Sequence, residues 1–297
     1  MTGRSSSWKR ISGDIPLNEF EKLQYRFNAW IERRRLPFET FPVDVEPYVP
    51  VLNIEALRHH FGEAIMRASP TRALCFDFIL EQLPGIFPEK PRIFDLGCGV
   101  GSYSEFLNAA LGYEDYQGCD IQERGSWKGM KKPGVTFSVA NLGEDCIALK
   151  GATSVFTQSV LEHIQNDRSV LDLLTVEEPS EIQHVHFVPA TCSFVEHRYH
   201  GYRRYGPGAI SRLLDNPSVF DVRIYSMGNA ITREMYWLQK GKLKNYQKSR
   251  AKIDIQYDQE LSCVENLANN RKHIITKEAK EASFFALVFK QRLAPSS

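Results

Sequence analysis

Seven residues, Asp95-Leu96-Gly97-Cys98-Gly99-Val100-Gly101, carry the densest chemical signal in the chain. Apolar Ile93-Phe94 precede them and a helical pattern opens at Ser102, so they stand where a strand turns into a helix. Glycines at alternate positions let the backbone turn sharply and let a ligand approach with no Cβ in its way. The helix start behind them offers free N–H groups to a polar ligand. The second element is Asp120, near the end of the next apolar run, Tyr116–Ile121. In a βαβ unit an acidic side chain there faces the first loop and can accept from both hydroxyls of a ribose. Taken singly, each element has a plainer reading, a structural turn and a strand-end cap. Together they point to a nucleoside-bearing ligand.

The string Asp95–Gly101, followed by Cys119-Asp120-Ile121, resembles the class I S-adenosylmethionine-dependent methyltransferases. Two later segments agree. Ala140-Asn141-Leu142 is similar to the family segment that contacts adenine, and Gln158–Ile164 (QSVLEHI) resembles its S-x-LEH-I stretch beside the methyl donor. The resemblance covers roughly residues 91–292. It implies a Rossmann-like seven-stranded, mostly parallel sheet with helices on both faces, closed by a final antiparallel strand. It also implies that S-adenosylmethionine is held by Asp95, Gly97, Cys98, Gly99, Gly101, Asp120, Ile121, Asn141, Leu142 and Ser159. Many relatives carry Asp where this chain has Asn141, but an amide oxygen can also accept from the adenine amino group. NAD is the competitor for the same loop. Its pyrophosphate prefers GxGxxG, whereas this loop is GxGxG. Asp95 at the loop entrance suits the amine of the donor's amino-acid tail.

Methyl transfer is a displacement at a carbon that the sulfonium already activates, so the protein must align the acceptor and manage its proton. His163 is the first proton acceptor to consider, because an ordinary imidazole titrates near neutrality; Glu162 is the second. The alternative is that this pair only orders the donor pocket. After the fifth main strand, Glu196–Gly206 crowds arginines, histidines and tyrosines into one loop. Arg198, His200, Tyr202, Arg203 and Arg204 are the substrate-binding expectations. Arginine forks suit phosphate or carboxylate, and tyrosines suit sugar or ring faces. The loop loosely resembles the HxxRRY-like loop of small-molecule and cell-surface-glycan methyltransferases; a solvated loop with packed tyrosines is the alternative. His184, His186, His197 and His200 raise the question of a metal, but alternate strand positions often pack inward, and no metal is expected. A lysine-rich run over 240–252 without an acid reads as a solvated helix face, with RNA or an acidic membrane as its sharper alternative.

These residues need a scaffold. The chain has 297 residues, 42% of them hydrophobic, enough for one large α/β domain with additions. From residue 91 onward short apolar runs alternate with helical stretches, the pattern of parallel βαβ units. Residues 85–297 form the expected methyltransferase domain, with 231–282 as a helical insertion between its last two strands. Residues 1–84 form the expected extension: a helix with Phe20, Leu23, Phe27 and Trp30 on one face, a strap with prolines at 37, 42, 47 and 50, and further helix over 54–84. Net charge is +1, which provides no general attraction to nucleic acid or membrane. No run approaches the roughly 18 to 20 apolar residues of a membrane span, and the N-terminus lacks a signal-peptide core. Six dispersed cysteines without a CxxC pair fit a cytoplasmic protein. The leading expectation is methylation of a small polar acceptor, at an oxygen of a sugar or phosphorylated metabolite. RNA or protein methylation is a rival, and so is a scaffold that binds the donor without turning it over.

Overall fold

Apolar runs with no polar face need cover on both sides, and helices packed on both faces of a sheet supply it. The computed structural model describes residues 17–35, 40–130, 132–177, 180–191, 201–239 and 257–293. Its strands are β1 (Val45–Pro47), β2 (Arg92–Leu96), β3 (Asp115–Asp120), β4 (Val135–Val139), β5 (Ile147–Ala148), β6 (Ser154–Gln158), β7 (Leu174–Thr175), β8 (Ser180–Pro189), β9 (Val219–Met227) and β10 (Phe284–Leu293). Eight of them form one sheet in the order β1-β9-β10-β8-β6-β2-β3-β4, while β5 and β7 pair separately. β10 runs antiparallel to β8 and β9, and the other pairs are parallel.

The mostly parallel α/β architecture with a closing antiparallel strand is the expected one, but the sheet has eight strands rather than seven. The extra strand comes from the proline-rich strap: Val45, Glu46 and Pro47 pair with Ile224, Tyr225 and Ser226. A proline lacks a ladder donor and is tolerated at an edge, which is where β1 lies. The strap is then tied down by one carboxylate. Asp77, on the helix Pro70–Glu81, accepts from Tyr48 Oη at 2.7 Å, Val51 N at 2.9 Å and Leu52 N at 2.6 Å. Burial pushes this carboxyl up, and the three donors pull against that shift.

Adjacent residues on each strand enter opposite cores. Ile93, Phe156, Phe187 and Val288 face one cluster with Leu57, Phe61, Ile65, Leu74 and Phe78 from the helices of 54–81. Phe94, Val155, Val188 and Leu287 face the other, with Val170, Leu171, Ile210 and Leu213 from the helices Arg168–Asp172 and Pro207–Leu214. Burying each such side chain stabilises the fold by roughly 1.5–3 kcal/mol. The helical stretch after Asn53 breaks at Gly62, whose φ is +54°, into Ile54–Phe61 and Glu63–Met66. On the helix Glu19–Arg35, Phe20, Leu23 and Phe27 are exposed and Tyr25 is buried. Between β9 and β10 lie the helices Ala230–Gln239 and Cys263–Asn269. The lysine-rich run of 240–252 is outside the described residues.

Order reverses in the middle of the sheet. From β2 the chain moves outward through β3 to β4, then returns to β6 and moves the other way to β8. Such a reversal opens a crevice between the carboxyl ends of β2 and β6. Both motifs of the sequence, the glycine loop and the segment Gln158–Ile164, begin at those two ends.

Candidate active site

Gly97, Gly99 and Gly101 all have positive φ, at +74°, +54° and +85°. Their surroundings separate their roles. A Cβ on Gly97 would lie 2.5 Å from Val160 Cγ1, and one on Gly101 would lie 2.8 Å from Phe137 Cε1. A Cβ on Gly99 would meet nothing within 4 Å. The first and third glycines let the loop pack against protein, and the middle one faces open space. The amides of Gly97 and Cys98 both donate to the Cys119 carbonyl at 2.8 Å, which ties the loop to the end of β3. Cys98 itself is buried, and burial pushes its thiol well up. Its side chain is packing rather than a reactive group.

Asp120 stands opposite the loop. Its Oδ2 accepts from Gly99 N at 2.9 Å, and its Oδ1 from Gln122 N at 3.2 Å and Arg124 Nη2 at 3.3 Å. The carboxylate therefore shapes the glycine loop and still has lone-pair directions for a diol. Val100, Ile121 and Val139, near the ends of β2, β3 and β4, are exposed although apolar. They form an apolar border beside a polar anchor, the arrangement a nucleoside needs. Asn141 and Leu142 follow β4 and are half-buried. Asn141 closes a turn, its Nδ2 donating to Glu144 Oε2 at 2.6 Å and its backbone N to Asp145 Oδ2 at 2.6 Å. Removing the Asp120 carboxylate, as in Asp120→Ala, should lower affinity for a ribose-bearing ligand by roughly ten- to a hundredfold, since a hydrogen bond to a charged group contributes about 1.5–3 kcal/mol. Titration calorimetry checks it; a change below about twofold would leave Asp120 as a strand-end residue only.

Asp95 lies beneath the loop, 1% exposed, and accepts from Tyr116 Oη at 2.5 Å. Burial pushes its carboxyl up to about 7, the tyrosine hydrogen bond opposing the shift and Asp120 adding to it. The sequence reading missed Tyr116. Asp95 pairs with Gly118, so Tyr116 sits diagonally beside it on the same face of β3, a relation visible once the register is known. Trp127 was missed too. Its Nε1 donates to the Gly99 carbonyl at 2.9 Å while its ring stacks on Phe137 at 5.1 Å.

Across the crevice, Ser159 holds a φ of +55°, uncommon for a residue with a side chain. Its amide donates to the Phe187 carbonyl at 3.0 Å. The contact between Gly97 and Val160 brings this turn against the glycine loop. A short 3-10 turn, Leu161–His163, follows. Glu162 is 1% exposed, and its Oε2 has no hydrogen-bond partner. Burial pushes its carboxyl up, while His163, Arg204 and Arg203 pull the other way. His163 is half-buried. The Tyr202 amide donates to the Glu162 carbonyl at 2.6 Å, and Gly201, with a φ of +72°, sits against the Glu162 side chain. The structure thus brings Glu162 together with Gly201 and Tyr202 of the expected acceptor loop.

One expectation there is corrected. The sequence assigns Arg203 to substrate binding, but the side chain is 6% exposed and turned inward. Its Nη1 donates to the Ile164 carbonyl at 2.7 Å and pairs with Asp167 Oδ1 at 3.1 Å, and its Nη2 donates to the Gln165 carbonyl. Asp167 also takes Tyr205 Oη at 2.8 Å and Arg212 Nη2 at 2.9 Å. The guanidinium fork is spent on holding the turn after β6. Arg204 is half-buried, its Nη1 donating to the Arg203 carbonyl at 2.8 Å. Arg198, Tyr199 and His200 lie outside the described residues. His184 and His186 share a face of β8, fully buried and stacked on Phe289, with His184 Nδ1 3.2 Å from His186 Nε2 and His186 Nδ1 2.9 Å from Thr157 Oγ1. Burial pushes His186 down to about 3 and holds His184 well below its ordinary value, with His186 beside it adding to that shift, so both are neutral core residues. Among the described residues no group of three or more His, Cys, Asp or Glu side chains is arranged to hold a metal ion. Nor, among them, is any helix long and apolar enough to cross a membrane.

Sheet order, crevice and glycine loop define a Rossmann-like, doubly wound α/β protein with a nucleoside-type cleft. No family model and no curated protein matches the chain. Solved structures do resemble it. One is a SAM-dependent methyltransferase from Archaeoglobus fulgidus, 19% identical over 78% of this chain and 99% of that one, with a TM-score of 0.45. A second is geranyl diphosphate C-methyltransferase from Streptomyces coelicolor A3(2), in complex with Mg2+, geranyl diphosphate and S-adenosyl-L-homocysteine, at 11% identity, 94% and 99% coverage and a TM-score of 0.43. A third is phosphoethanolamine N-methyltransferase 2 from Haemonchus contortus, in complex with S-adenosyl-L-methionine, at 14% identity, 82% and 57% coverage and a TM-score of 0.41.

Proposed function

We propose that this chain is an S-adenosylmethionine-dependent methyltransferase acting on a small polar acceptor. The observation that carries the donor reading is the open space over Gly99, bordered by the Asp120 carboxylate and by exposed Val100, Ile121 and Val139. Asp120 would take the ribose hydroxyls, and Ile121, Asn141 and Leu142 the adenine. Gly97, Cys98, Gly99 and Gly101 would line the tail with backbone, and Ser159 would border the methyl group. Asp95 would fix the amine end from below the loop. When bound, the donor supplies a methyl carbon already activated by its sulfonium, which leaves alignment and proton handling to the protein.

The acceptor reading is finer and rests on fewer groups. Glu162 has the character of a proton acceptor: a buried carboxyl, raised by burial, with one oxygen uncommitted. His163 beside it is the second group of that pair. With Arg203 withdrawn to the interior, Arg204 and Tyr202 remain as acceptor ligands, joined by Arg198 and His200. Arginine and tyrosine together favour an oxygen of a sugar or phosphorylated metabolite over an apolar acceptor. The test is transfer of labelled methyl into metabolite extracts. Arg204→Ala should lower kcat/KM for the acceptor by about 1.5–3 kcal/mol, roughly ten- to a hundredfold, with donor affinity unmoved. Label transfer at the wild-type rate would remove the anionic-acceptor idea. Salt-sensitive RNA binding with label incorporated into RNA would favour a macromolecular acceptor instead.

A further inference from the structure

A polar cluster next to the glycine loop plays no part in the assignments above. Tyr103 begins the helix Tyr103–Leu111, two residues beyond Gly101, and is 7% exposed, yet its hydroxyl has no hydrogen-bond partner. Gln158, the last residue of β6, has a buried Oε1 that is also without a partner, while its Nε2 donates to Cys75 Sγ at 3.7 Å. Arg72 lies one turn before Cys75 on the same face of the helix Pro70–Glu81. Its guanidinium sits 5.9 Å from the centre of the Tyr103 ring. Arg72 is exposed, and among the described residues no carboxylate lies within ion-pair distance of it. It therefore stands as an exposed cation beside the start of the loop's helix, one turn from the Cys75 that meets the end of β6. The buried carboxyl of Asp95 lies beneath the same loop.

A cation beside the first residue of the loop's helix and a carboxyl beneath the loop match the two ends of an α-amino acid. We propose that Arg72 binds the carboxylate of the donor's methionine tail, an assignment that rests on the methyl-donor reading above. A guanidinium fork can take both carboxylate oxygens at once. The first turn of the helix, capped by Ser69, adds a favourable dipole end for the same anion.

The experiment compares two nucleosides that differ only at this end. S-adenosylhomocysteine keeps the amino-acid tail, and 5′-methylthioadenosine lacks it. Both are titrated into the full chain as wild type, Arg72→Ala and Arg72→Lys. The expected result is that Arg72→Ala weakens S-adenosylhomocysteine by about ten- to a hundredfold and leaves methylthioadenosine within about twofold. Arg72→Lys should fall between, because an ammonium keeps the charge and loses the fork. Unchanged S-adenosylhomocysteine affinity in Arg72→Ala overturns the assignment. So does equal weakening of both nucleosides, since Arg72 would then act through the shape of the loop. If the wild type binds neither nucleoside, the donor reading itself fails, an outcome distinct from both.

Discussion

Gly99→Val should abolish binding of S-adenosylmethionine and S-adenosylhomocysteine, by at least about 100-fold or close to 3 kcal/mol. The reason is specific to this glycine. At Gly97 and Gly101 an added Cβ would collide with Val160 or Phe137, so substitution there perturbs the fold and the site together. At Gly99 the added atoms enter space that no protein atom occupies. A branched side chain there fills the volume assigned to the ligand. The backbone exacts its own cost, because a φ of +54° disfavours any L side chain by about 1–2 kcal/mol. A modest fall in Tm should therefore accompany the loss of binding, with the circular dichroism of the folded protein retained. Gly99→Ala shares the backbone strain and adds only one carbon, so it should bind measurably where valine does not. Binding at wild-type strength in the valine variant would place the donor away from this loop.

The second large effect is on stability. Arg203→Ala removes one member of a buried pair and leaves Asp167, which is fully buried, with Arg212, Tyr205 Oη and the Arg168 amide. Breaking a buried ion pair by deleting one partner costs about 3–5 kcal/mol. For a protein of this size each kcal/mol lowers Tm by roughly 2–4 °C, so a drop on the order of 6–20 °C is expected in thermal unfolding. Lysine should rescue little, because the Arg203 fork serves the Ile164 and Gln165 carbonyls at once. A surface ligand for an anionic acceptor would behave in the opposite way, with Tm unchanged and the acceptor KM raised. That outcome would return Arg203 to the acceptor side.

The contrast between Arg203 and Arg204 shows where the sequence stops being legible. Both arginines occur in one charged loop, and composition alone assigns them one role. What separates them is Asp167, more than thirty residues away, whose burial is decided by tertiary packing. Regular elements were easier to read. Ile93–Leu96 and Ser154–Gln158 are short apolar runs between helical stretches, and both became central parallel strands. The strap was harder: four prolines mark it as extended, but whether an extended segment joins a sheet depends on an available edge, which β9 provides here. The same limit hid Tyr116. Its relation to Asp95 comes from register across two strands, not from spacing along one. In the glycine loop the residue types themselves carry the geometry, because glycine adopts the three positive φ angles found there without the steric cost that a side chain would add.

Titration of S-adenosylhomocysteine into the wild-type chain, with NAD in a parallel experiment, tests the central claim most directly. The product of methyl transfer carries the adenosine and the amino-acid tail but no reactive methyl, so the measurement needs no knowledge of the acceptor. Saturable heat with one site per chain is expected for S-adenosylhomocysteine, and none for NAD under the same conditions. Saturable binding of NAD with no heat from S-adenosylhomocysteine would contradict it and make the loop a dinucleotide site.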